Sequence, residues 1–270
     1  MDRDQSISKF KAKRFSVDGS EEVNDILTSE CVLQISVNEK TFSMTMRTPG
    51  EDKALVRGLL YSEKVLGSNV PSYRFQTACI DENGNSTAVN VFADASSLEA
   101  GFESERALVS VSSCGICGKQ DSDDIMPEGD ALKTDFVLSA SALTLMFDQM
   151  SANQTTFLNS GGSHAAACFD RNSNMLTLKE DIGRHNAVDK VIGQLILDKK
   201  LESGEILLVS GRISFEIITK AHRAGFAFLA AVSAPSSLAV EMAQELGISL
   251  LGFCREDKCT VYSHIERVRN

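Results

Sequence analysis

The chain's most reactive stretch is Ser112-Ser113-Cys114-Gly115-Ile116-Cys117-Gly118, a Cys-x-x-Cys bracketed by glycines and serines instead of core residues. A thiol attacks only as its thiolate, and small neighbours leave it open to another protein and to a small molecule in turn. Cys114 and Cys117 are therefore the candidate catalytic pair. Two Gly-Arg steps stand further on, Gly183-Arg184-His185 and Ser210-Gly211-Arg212, and Phe253-Cys254-Arg255-Glu256-Asp257-Lys258 follows a continuous apolar run. A guanidinium binds phosphate oxygens in pairs, so Gly-Arg steps just ahead of helices suit a phosphate or pyrophosphate. His164, after Gly161-Gly162-Ser163, and His185 are the two histidines at loop edges beside them; His222 and His264 read as helix-end or solvated residues.

The rest of the composition narrows the partners. The chain has 270 residues, 43% of them hydrophobic, enough for one large domain or two ordinary ones. A formal charge of -10 and a pI near 5.0 exclude non-specific nucleic-acid binding, which needs a basic face, so any anion must be met by a local cluster of Arg and Lys. No stretch approaches the roughly 18 consecutive apolar residues of a membrane span, and the first residues lack the apolar core of a secretory signal. Seven cysteines, an odd number mostly set in apolar runs, suit free thiols in a reducing compartment, so a cytoplasmic location is expected. Cys31, Cys79 and Cys168 read as small buried hydrophobes. A Cys-x-x-Cys with two histidines has the composition of a zinc site, but neither Cys254 with Cys259 nor His164 with His185 has the close spacing of a second ligand pair, and no resident metal is expected.

These groups need a scaffold to bring them together. Residues 31–37 and 40–47 alternate apolar and polar around Asn38-Glu39, which predicts a hairpin. A helix over 51–62 and strands over 73–80 and 87–93 complete a β-rich first part. The acidic run 120–130, with Pro127 and Gly129, reads as a linker and puts a domain boundary near residue 130, with the Cys-x-x-Cys at the seam. The two domains are then 1–130 and 131–270. Beyond it come a helix over 139–151, strands over 164–170 and 175–180, a helical period through Ala187 to Ile196, and a strand over 206–209. A helix over 213–224, a strand over 226–232, a helix between Pro235 and Gly247, a strand over 248–253 and a last short one over 260–263 follow. Strands alternating with helices predict an α/β domain with a mostly parallel sheet, which binds ligands at the carboxyl ends of its strands.

That order of strands and helices resembles the cytidine deaminase fold, although the positions where zinc deaminases carry their ligands hold Arg184-His185-Asn186-Ala187 and Gly211-Arg212-Ile213-Ser214 here. Five stretches together resemble the FdhD/NarQ family: residues 112–118, Gly161 to Ala167, Glu180 to Lys190, Ser210 to Glu216 and Ser233 to Ala239. Ser163 is a minor departure from that family's usual Gly-Gly-x-His loop. The resemblance implies a sulfur carrier required for formate dehydrogenase activity. Such a carrier takes persulfide sulfur from a cysteine desulfurase and passes it to the molybdenum cofactor, bis-molybdopterin guanine dinucleotide. It assigns the persulfide to Cys114 with Cys117 as partner, maps cofactor binding onto Phe253 to Lys258, and points to a homodimer. Beside it, Arg184, Arg212 and His164 form the expected phosphate site, and Phe253 with Arg255 a surface for guanine. Two other functions compete: a thiol-disulfide oxidoreductase, disfavoured because Gly115 and Gly118 make a poor first helical turn, and a chaperone that holds the cofactor without sulfur chemistry.

Overall fold

The computed structural model describes residues 5–70, 73–99 and 129–270. Cys114, Cys117 and most of the acidic run after them lie outside the described residues.

The chain opens with an antiparallel arm, β1 (Ile7–Ser16) and β2 (Gly19–Thr28), paired from Ile7 opposite Thr28 to Ser16 opposite Gly19. The sequence reading missed it, although Asp18-Gly19 between two alternating runs is a hairpin signal. The predicted hairpin follows as β3 (Cys31–Val37) and β4 (Lys40–Arg47). Asn38 and Glu39 both take positive φ, 47° and 68°, the requirement of a tight hairpin turn. Next come α1 (Asp52–Ser62), β5 (Tyr73–Ile80) and β6 (Ser86–Ala93), giving a four-stranded sheet in the order β4-β3-β6-β5. Its inner face meets α1 through Leu33, Ile35, Leu55, Val56, Leu60, Val89 and Val91. Cys79 faces solvent on the edge strand β5 and Cys31 is only half-buried, so of the three cysteines expected in the core only Cys168 is there.

The remainder comprises β7 (Leu138–Ser139), α2 (Ala140–Ala152), α3 (Thr155–Ser160), β8 (His164–Phe169), β9 (Met175–Asp181), α4 (Arg184–Leu197), β10 (Ile206–Val209), α5 (Phe215–Ala224), β11 (Phe228–Ala231), α6 (Ser237–Glu245), β12 (Ser249–Arg255), β13 (Lys258–Val261) and β14 (Val268–Arg269). Six strands form one sheet in the order β13-β12-β11-β10-β8-β9. Only its centre, β10-β11-β12, is parallel; β8, β9 and β13 run antiparallel to their neighbours. The sheet is thus less parallel than expected, because the five-residue turn between β8 and β9 and the turn between β12 and β13 are too short for a crossover. One face packs on α4, α5 and α6, the other on α2.

The parts on either side of residue 130 are joined by helix packing. A Cβ added at Gly58 of α1 would lie 1.8 Å from the Asp189 carbonyl oxygen, and one added at Gly193 of α4 would lie 1.8 Å from the Ala54 carbonyl oxygen. Glycine at both points lets the two backbones touch.

Candidate functional site

Strand direction concentrates the chemistry at one edge of the six-stranded sheet. Because β8 runs antiparallel to both β9 and β10, its first residue lies where those two strands end: His164 pairs with Asp181, and Ala166 with Val209. The loops leading into α4 and α5 therefore converge there. A Cβ on Gly211 would meet Arg184 Cβ and Cδ at 3.3 Å and His164 Nδ1 at 3.4 Å, so the missing side chain is what lets the Arg184 stem lie along the loop. Ser210 Oγ accepts the Ala165 N–H at 2.9 Å and stands 3.4 Å from His164 Nδ1. The structure thus unites His164, Arg184 and Arg212 as expected.

Burial, and then the charges of Arg184 and Arg212, lower the pKa of His164. His185 is 6% exposed, and its pKa is pushed down to about 3 by burial and then by Arg184, Lys220 and His164. Its Nε2 lies 3.4 Å from Ser214 Oγ and 3.8 Å from a Glu216 carboxylate oxygen. Ser214 and Glu216 are site neighbours that sequence reasoning missed; their only signal was their position at the start of a helix after a Gly-Arg step. Arg184 Nε is buried with no hydrogen-bond partner among the described residues. A buried donor left in that state is a place for an acceptor.

Not every helix start is open. Ser236 Oγ accepts the Ala239 N–H at 3.2 Å and so caps α6 from within. Asp181 takes the Gly183 N–H at 2.8 Å at the entry to α4. These internal acceptors leave the guanidinium groups, more than the helix N-termini, to face an anion.

The stretch Phe253 to Lys258 divides by strand alternation. Phe253, at φ +54°, is exposed, and its N–H bonds the Ser233 carbonyl at 3.1 Å; the neighbouring loop is tied in by Ile213 N–H to the Ala234 carbonyl at 3.2 Å. Phe253 is thereby rooted beside the loop that carries Arg212. Arg255 shares its exposed side, whereas Cys254 points the other way, into the core with Leu143 and Phe147, and burial pushes its thiol up to about 12. Cys254 is therefore packed into the core, on the side turned away from Phe253. Residues 254–259 border a cleft of about 60 Å³ over α2, on the sheet face opposite α4. Glu256 and Asp257 form the tip of this turn at φ 54° and 57°. Arg255 to Lys258 accordingly stand apart from Arg184 and His164.

Beneath the site lies a buried polar frame whose role the sequence did not reveal. Asp181, wholly buried, pairs with Lys190 Nζ at 2.8 Å and accepts the Thr48 N–H at 3.0 Å and Asn186 Nδ2 at 3.0 Å. Lys190 Nζ also donates to the carbonyls of Thr48 and Glu180 at 2.9 and 3.1 Å. Asp189 holds Lys220 at 2.8 and 2.9 Å and accepts Ser62 Oγ–H at 2.8 Å. Against the burial that would lower it, Asp189 and Glu63 keep the Lys220 pKa raised. Glu180 caps α3 by accepting the N–H groups of Thr156 and Phe157 at 2.7 and 2.8 Å. Among the described residues no group of three or more His, Cys, Asp or Glu is arranged to hold a metal ion, and no helix is long and apolar enough to cross a membrane.

The fold and the site define a mixed α/β protein that presents arginines and neutral histidines at the strand ends of its larger sheet. The chain belongs to the FdhD/NarQ family, whose model matches residues 28–269. It is 41% identical over 256 residues to a protein of Nocardia farcinica named sulfur carrier protein FdhD, covering 91% of this chain and 89% of that one. A protein of the same name from Mycolicibacterium paratuberculosis is 39% identical over 254 residues, covering 90% and 92%. A crystal structure of a candidate formate dehydrogenase accessory protein from Desulfotalea psychrophila superposes with a TM-score of 0.75 at 18% identity, covering 97% of this chain and 99% of that one, and so shares the fold.

Proposed function

We propose that this protein is a sulfur carrier in the maturation of formate dehydrogenase. The Cys114 thiolate attacks the outer sulfur of a persulfide on a cysteine desulfurase, whose own thiolate leaves. Cys114 then carries that sulfur as a persulfide. An electron pair of the bound molybdenum cofactor, bis-molybdopterin guanine dinucleotide, takes the outer sulfur, and Cys114 departs as thiolate. The names of the relatives support the carrier role.

The observation that supports the cofactor half is Arg184 Nε, buried beside His164 and Gly211 with no hydrogen-bond partner among the described residues. An oxyanion there satisfies this donor, and Arg212, exposed on the same loop, adds a second cation. Phe253, exposed and rooted beside the Arg212 loop, supplies flat surface for a guanine, whereas Arg255 stands apart from it. We assign the protein to the cytoplasm as a homodimer in which each subunit takes one guanosine moiety.

Incubation with a cysteine desulfurase and sulfur-labelled cysteine tests the first half: label is expected on the wild type and absent from Cys114→Ala. Equal labelling of both would refute the assignment. A chaperone that only holds the cofactor predicts instead that the double change Cys114→Ala, Cys117→Ala leaves formate dehydrogenase active in cells.

A further inference from the structure

We infer that the β1–β2 arm and the outer face of α2 and α3 form an interface between two copies of this chain, the arm of each copy lying on the helices of the other; this rests on the homodimer reading and names its surface.

The two faces of the arm differ. Residues opposite each other in a hairpin share a face. One face carries Lys9, Lys11 and Lys13, and at its root Thr28 Oγ1 meets Ser160 Oγ of α3 at 2.7 Å. Strand alternation sets Phe10, Ala12 and Leu27 on the other face, with half-buried Val23 opposite Ala12. Phe10 is 54% exposed there and Leu27 44%. A lone two-stranded hairpin is at best marginally stable in water, so an arm of ten residue pairs gains order from a surface that covers its apolar side.

α2 and α3 offer such a surface. Leu143, Met146, Phe147 and Met150 of α2 pack into the core, but Leu145 is 69% exposed, Phe157 44% and Leu158 67%. Residues 140–160 hold one charged residue, Asp148, where 24% of 21 positions would give about five, and depletion of charge marks the centre of a protein interface. α3 ends at Ser160, four residues before His164, so the interface borders the anion site of each copy.

Charge and area select the reciprocal arrangement. Two β1 edges side by side would oppose Lys9, Lys11 and Lys13 with their own copies, and two β2 edges would do the same with Glu21, Glu22 and Asp25. Stacking arm on arm covers too little. At about 3.4 Å per residue and about 4.8 Å per strand, one face of the arm measures about 330 Å², less than half of the roughly 800 Å² that each partner of a stable complex buries. When each copy gives both its arm and its helices, the two-fold repeat doubles this to about 660 Å².

Light scattering on the full-length chain compares the wild type with an arm variant, Phe10→Asp with Leu27→Asp, and a helix variant, Leu145→Asp with Leu158→Asp, while Tm checks that each is folded. The wild type is expected at twice the mass of the chain, and each variant to dissociate at least tenfold more readily. The two variants are then mixed. A mixed pair keeps one sound arm on sound helices, so dimers are expected to reappear. Variants as dimeric as the wild type, or a mixture that stays monomeric, overturn the inference and leave the homodimer reading standing. Dimeric variants that recover no formate dehydrogenase activity in cells overturn it too, and assign the surface to a foreign protein. A monomeric wild type refutes the homodimer reading, and this interface with it. Should a double variant fail to fold, Leu27→Ser and Leu158→Ser are read by the same criteria.

Discussion

Glu180 to Lys190, a single unbroken stretch, serves two regions of opposite character. Asp181, Asn186, Asp189 and Lys190 are buried, and each meets partners from β4, from Thr48 just after it, or from α1 and α5. Arg184 sits at the surface edge with a donor left unpartnered among the described residues. The difference lies in what each region is satisfied by: the frame is satisfied by the protein, whereas the rim is left for something the protein binds. A strongly patterned motif can therefore be mostly scaffold, with only one or two positions facing a ligand.

Substitutions that separate frame from rim put this contrast at risk. The largest effect is expected from Asp181→Ala, which strands Lys190 as a buried unpaired cation and should cost about 3 to 5 kcal/mol of stability in denaturant unfolding. Near wild-type stability would show that the pair is not the frame's centre. Next, Gly58→Ala or Gly193→Ala forces α1 and α4 apart and should cost about 3 kcal/mol, the upper range of overpacking, with a matching fall in Tm. By contrast, Arg184→Ala is expected to leave Tm within a few degrees yet weaken guanosine diphosphate binding about tenfold or more in calorimetry, the scale of one charge-assisted hydrogen bond. A stability loss as large as that of Asp181→Ala would merge the two regions.

A pH profile tests the boundary between the two. His185 is buried and neutral, with its pKa lowered from 6.5 to about 3. Between those values the unfolded chain binds a proton that the folded chain does not, so this contribution to stability is complete above pH 6.5 and lost as pH falls toward 3. The slope should approach about 1.4 kcal/mol per pH unit for one such group. Unfolding of His185→Gln followed from pH 7 to 4 should show a shallower decline than wild type; parallel curves would mean that His185 is not held neutral by the fold.

Much of this architecture was legible in the residues. The β3–β4 hairpin follows from alternation about Asn38-Glu39, the strand at 206–209 from an unbroken apolar run, and most of β12 from the apolar stretch read over 248–253. The convergence of His164, Arg184 and Arg212 followed from the rule that strand ends bind ligands. Phe253 and Cys254 were harder to separate: both were assigned to one binding stretch, and only the direction of each side chain from β12 divides them. Asp181 and Lys190 gave no local sign of burial, because their partner Thr48 is more than 130 residues away in the chain.

Local order therefore came from sequence: periodicity, turn chemistry and helix boundaries act between residues a few positions apart, and so do the family's motifs. Which charged groups are enclosed and which stay open was decided only by tertiary packing. Burial of an ion pair depends on α1 closing against α4 and on β8 entering the sheet antiparallel, and both are meetings between segments that no short stretch of residues contains.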